Sequence, residues 1–169
     1  MQKLLKLSCT IDSTNRTMGR LFSWLALVMV LLMFFNVISR YVLNINLVWQ
    51  QELVGFMHAI LFLATAGYTL LDDKHVRVDV LYQQLNKRKK AIVELVGTII
   101  FLFPVCIAIG YFSFEFISSS WEIKESSSEY NGMPGVFVLK SFIWVFCFTL
   151  TLQGISTICK SIITLREKR

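Results

Sequence analysis

The sequence predicts an all-α integral membrane protein with four transmembrane helices and both termini in the cytoplasm. Three observations predict it. Hydrophobic residues make up 55% of the 169-residue chain and charged residues only 17%, against about 25% charged in a soluble domain. The apolar residues gather into four long runs, and mean hydropathy is +0.60. Lys and Arg flank those runs instead of interrupting them. A soluble domain of this size would expose large apolar patches, and a disordered chain needs the opposite composition. The net charge of +6 would suit a nucleic-acid partner, but cations at the ends of apolar runs serve a membrane surface, so no nucleic-acid partner is expected.

A bilayer core of about 30 Å needs about 20 apolar residues in a helix. The first run is Leu21 to Ser39, and its uncharged length reads as a retained anchor, not a cleaved signal. The second is Leu53 to Leu71, the third Ala91 to Phe112, interrupted by Glu94, and the fourth Ser141 to Cys159, extending to Ile163. The chain is therefore one membrane domain, 1–169, with spans near 21–39, 53–71, 91–112 and 141–163. Orientation follows from the basic residues. The N-terminal segment holds Lys3, Lys6, Arg16 and Arg20; the second loop holds Lys74, Arg77 and Lys87 to Lys90; the tail holds Lys160, Arg166, Lys168 and Arg169. Only Arg40, Lys124 and Lys140 fall on the other side. The first and third loops then face outward. Cys9, Cys106, Cys147 and Cys159 lie outside those outward loops, so no periplasmic disulfide is expected.

The residues of an enzyme are missing. There is no C-x-x-C pair, no glycine-rich phosphate loop and no H-E-x-x-H, and no catalytic or metal-ligand set is assigned. His58 and His75 are the only histidines; on one helical segment they stand about 25 Å apart, too far to share a haem. Glu94 is the one charge within a span. It suits the first turn of a helix or a pair with Lys90, and the other reading is proton coupling.

Three connectors carry more specific features. In the first outward loop Tyr41 and Trp49 suit the membrane interface, and Arg40 and Glu52 either pair across the hairpin or form an edge for another protein. In the cytoplasmic loop Val78, Leu81, Tyr82 and Leu85 share one helical face ahead of a basic run. This predicts an amphipathic helix near 76–86 on the inner lipid surface, with His75 and Asp79 one turn apart. Their pairing suits a local hydrogen bond, as two ligands are too few for a metal. The third loop, from Trp121 through Glu125 to the Gly132–Gly135 turn, is polar and ends near Lys140. It is either a solvated connector or a docking surface, and Pro134 is placed to open the last span.

Taken together, these segments resemble the small membrane subunit (DctQ type) of the tripartite ATP-independent periplasmic (TRAP) transporters. The resemblance rests on Arg40-Tyr41-Val42, Trp49-Gln50-Gln51-Glu52, Ala64-Thr65-Ala66-Gly67, His75-Val76-Arg77-Val78-Asp79, and Gly132-Met133-Pro134 followed by Leu139-Lys140. Gln51 departs from the acidic residue common at that place. The resemblance implies an accessory scaffold in the bacterial inner membrane, with no cofactor of its own. Its partners would be a large multi-span transport subunit (M type) holding the substrate and sodium sites, a periplasmic binding protein (P type) and membrane lipids. Organic acid uptake would be driven by sodium. Contacts are expected at Arg40, Tyr41, Trp49, Glu52, Trp121, Glu125 and Lys140. The alternatives are a tetraspan subunit of another membrane complex and a small self-assembling exporter.

Overall fold

The computed structural model describes residues 1–72 and 85–166. The described residues form helices and no strand: α1 (Gln2–Tyr41), α2 (Val48–Leu71), α3 (Lys87–Gly97), a π-helical turn (Thr98–Leu102), α4 (Phe103–Glu122) and α5 (Val136–Arg166). The segment from Lys87 to Glu122 is one continuous rod, so four helices are long and apolar enough to cross a membrane. The predicted cytoplasmic surface helix, with His75, Asp79, Leu81 and Tyr82, lies outside the described residues. Leu85 is described; it sits half-buried in a bend just before α3.

Three boundaries differ from the sequence expectation. First, α1 begins at Gln2 and runs for 40 residues, about 60 Å at 1.5 Å per residue. The N-terminal segment ahead of the first span is therefore helix, continuous with that span. Second, the third rod continues to Glu122, ten residues past the apolar run. Third, Pro134 does not open α5. Gly135, at φ 114°, intervenes and turns the chain into the helix at Val136; glycine adopts that conformation without the Cβ clash that disfavours other residues.

The π turn has a local cause. Pro104 has no N–H to give the carbonyl of Ile100, so the ladder re-registers, with Phe103 N–H donating to Thr98 O five residues back. The widened turn presses on α5 at Gly154. A Cβ there would lie 2.7 Å from both Leu102 Cδ2 and Phe103 Cε1, so a larger residue would have to displace those side chains.

Helix α5 is the centre of the bundle. It packs against α1, α2, α3 and α4. The apolar core joins Ala66 of α2, Cys106 of α4 and Leu150 of α5, with Leu70, Leu102 and Phe146 around it. The contacts also fix levels along the bundle. Glu52 lies beside Met133 and Gly67 beside Thr149, while Gly154 lies beside Leu102. The apolar run of α5 thus sits roughly eight residues, about 12 Å, further than that of α2 toward the end of the bundle that carries both chain termini, named the inner end for its place in the bundle alone.

Candidate partner-contact sites

Two polar assemblies hold the bundle, one at each end. The outer one gathers residues that the sequence singled out. Glu52, one turn into α2, does not pair with Arg40, which stands exposed at the end of α1. Its carboxylate instead accepts from Ser127 Oγ and from the Met133 backbone N–H at 2.5 Å. The connector between α4 and α5 is thereby tied down onto α2. The connector is shaped for this: Asn131 adopts φ 56°, and Gly132 N–H returns to Glu129 O at 3.0 Å.

Glu125 and Lys140 form an ion pair. Ser120 Oγ donates to the same carboxylate at 2.6 Å, and the Glu125 N–H caps α4 at Ser120 O, 3.0 Å. The Lys140 ammonium also lies 3.8 Å from the Phe116 ring centre, a cation–π contact. Lys140 and Ser120 hold the Glu125 carboxyl below the usual carboxylate range. Trp121 donates Nε1–H to Ser141 Oγ at 2.8 Å and packs edge-on against Phe137. Glu52, Trp121, Glu125 and Lys140 thus join the outer ends of α2, α4 and α5 to one another. Arg40, Tyr41 and Trp49 are not drawn into that assembly. Tyr41 is exposed, and Trp49 borders a cleft with Asn46, Leu47, Tyr130, Asn131 and Pro134.

The inner assembly was not read from the sequence. Ser8, Ile11, Asn15 and Gly19 form the buried face of the first half of α1. Opposite them on α5 lie Thr149, Gln153, Ser156 and Lys160. Asn15 Nδ2 donates to Gln153 Oε1 at 2.8 Å and to Thr149 O at 3.3 Å. Asp12 accepts from Ser156 Oγ at 2.7 Å and Gln153 Nε2 at 3.1 Å, and pairs with Lys160 at 2.6 Å. The Ser8 and Ser156 hydroxyls are 2.9 Å apart. Buried polar groups demand partners, and these two stripes supply each other at every group but the Asn15 side-chain oxygen. Thr149, Gln153 and Ser156 of the fourth span are therefore the lining of a helix contact. The signal was available: Ser8, Ile11, Asn15 and Gly19 recur at helical spacing, as do Thr149, Gln153 and Ser156.

Elsewhere, Glu94 is half-buried on α3, and the Thr98 hydroxyl donates to its backbone carbonyl at 2.7 Å. Among the described residues no group of three or more His, Cys, Asp or Glu side chains is placed to hold a metal ion, and the four cysteines are unbridged.

A bundle of four such helices, cross-tied by polar clasps at both ends, is the architecture of a helical membrane protein. The family model for the DctQ component of the tripartite ATP-independent periplasmic transporters matches residues 29–164, and the chain belongs to that family. The family is one of transporter subunits, not of enzymes, and with four apolar helices it places the chain in a bacterial inner membrane. A similar protein is the C4-dicarboxylate TRAP transporter small permease protein DctQ of Vibrio cholerae serotype O1, 34% identical over 87 residues. The shared stretch covers 51% of this chain and 38% of that relative's length. No solved structure matches the chain.

Proposed function

We propose that this chain is the static brace of a sodium-driven TRAP transporter for organic acids. Substrate and sodium bind to a large multi-span partner subunit, and a periplasmic binding protein delivers the substrate. The relative's name points to C4-dicarboxylates as the substrate class. Both termini face the cytoplasm, so the Glu52 and Glu125 clasps and the Trp49–Tyr130 cleft face the periplasm, where the binding protein docks.

One observation carries this reading. The paired charges of the described bundle tie its own elements together. Asp12 and Lys160 join α1 to α5, and Glu125 and Lys140 join the outer connector to α5. A frame built this way holds a neighbour still while that neighbour moves. Ion coupling would instead need carboxylates placed toward the bilayer midplane.

The test is succinate uptake by proteoliposomes containing the large subunit and this chain, with binding protein added outside. Uptake should require the sodium gradient, the binding protein and this chain together. Glu94→Gln should leave it unchanged. Sodium-independent transport by this chain alone, abolished by Glu94→Gln, would instead establish the exporter reading.

A further inference from the structure

We infer that the outward face of α2, centred on His58, is where a transmembrane helix of the large subunit packs, bringing a hydrogen-bonding group to the imidazole. The inference rests on the reading of the chain as a TRAP small subunit and adds which face meets the partner.

His58 lies within the apolar run of α2, six residues past Glu52, whose clasp fixes the outer end of the helix. It therefore sits about 9 Å deeper than that clasp, inside a hydrocarbon layer of about 30 Å. An ionisable side chain at that depth almost always faces the interior of its own bundle or a partner, because hydrocarbon offers it no hydrogen bond. His58 faces neither of the packed sides of α2: it is exposed, and its imidazole makes no hydrogen bond or ion pair among the described residues. The hydroxyls on this helix differ in this respect. Thr65 satisfies itself on Leu61 O at 2.8 Å.

The surroundings of His58 suit a helix better than lipid. Gly55, Phe62 and Thr65 share its face at helical spacing. A Cβ on Gly55 would meet nothing within 4 Å, so a neighbouring backbone has room to approach there. Small residues beside a polar one are the usual composition of a helix–helix contact in membranes. Phe62, 69% exposed, supplies the large side chain next to that gap. The outer face of α1 is the contrast. Trp24, Leu27, Leu31, Phe34 and Phe35 are all exposed and all apolar, a surface that acyl chains cover without loss. The occupant of the α2 face is therefore a helix carrying a hydroxyl, a carboxyl or an exposed backbone carbonyl level with His58.

The experiment uses the complex in native membranes, with this chain and its large subunit co-expressed. A photo-crosslinking benzoylphenylalanine replaces Phe62 on the α2 face or Phe34 on the α1 face. The Phe62 probe should yield an adduct with the large subunit, at least tenfold above the Phe34 probe. Adducts at Phe62 with lipid alone, or with a second copy of this chain, while the large subunit still co-purifies, would overturn the inference and leave the subunit reading standing. If the unsubstituted chain brings down no large subunit, the subunit reading falls and this inference with it. As a second measurement, His58→Leu should lower the large subunit retained through detergent washing by roughly three- to tenfold, consistent with one membrane hydrogen bond. His58→Gln should restore most of it. Equal retention by both variants would also overturn the inference.

Discussion

A Cβ built on Gly67 would lie 2.7 Å from the Thr149 carbonyl oxygen and 2.9 Å from the Thr149 Cβ. Neither helix backbone can yield to it without shifting. Gly67→Ala should therefore destabilise the bundle by about 1–3 kcal/mol, as overpacking does. Gly97 is the opposite case. It is helical and open on its Cβ side, so Gly97→Ala should stabilise by roughly 0.5–1 kcal/mol. Thermal unfolding of the two variants in detergent checks both signs. Glu125 supplies a pH dependence. Its carboxyl is held below the usual range by Lys140 and Ser120. A group shifted downward on folding stabilises the fold above its ordinary value and loses that contribution as pH falls through the lowered one. The melting temperature should therefore hold from neutral pH down to the ordinary carboxylate range, then fall with acid below it. Glu125→Gln should lower the neutral plateau and flatten that acid fall.

At the scale of the helix, α1 and α5 are joined by a seam that is polar where a membrane protein is expected to be greasy. Asp12→Ala removes the acceptor for Ser156, Gln153 and Lys160 at once. The loss should be about 1–3 kcal/mol and should be local. Hydrogen exchange should accelerate over residues 2–18, with little change over 21–41. This seam also marks the limit of what the sequence made legible. Four apolar runs near the length of a bilayer located the spans, because hydrophobic length is a property of contiguous residues. The N-terminal half of α1 lacks such a run, and it is ordered by contacts with residues more than 130 positions away. The Arg40–Glu52 pairing failed for the same reason. Nearness across a hairpin suggested it, but the loop bearing Ser127 and Met133, 75 and 81 residues on, offers Glu52 two donors. Glu125 and Lys140 were each singled out, yet only the fold shows that they answer one another. The end of the third rod was missed because Ser113 and Glu115 interrupt its apolar run, while α5 still packs beside it.

The apolar runs of α2 and α5 stand out of level by about 12 Å. One slab of lipid accommodates both when the bundle axis leans, and leaning also lifts the exposed Glu115 of α4 toward the headgroups. The bundle should thus tilt more than the roughly 20° typical of membrane helices, which oriented-sample spectroscopy of α1 would read directly. A leaning frame with clasped ends gives a broad, stiff surface against which a larger subunit can be held. Whether this chain has such a companion decides the account more directly than any substitution within it. The measurement is purification of the tagged chain from its native membrane in mild detergent, with quantitative mass spectrometry of what accompanies it. The account predicts a large multi-span TRAP transport subunit at one-to-one stoichiometry. A lone chain, or an assembly made only of its own copies, in repeated preparations would contradict it.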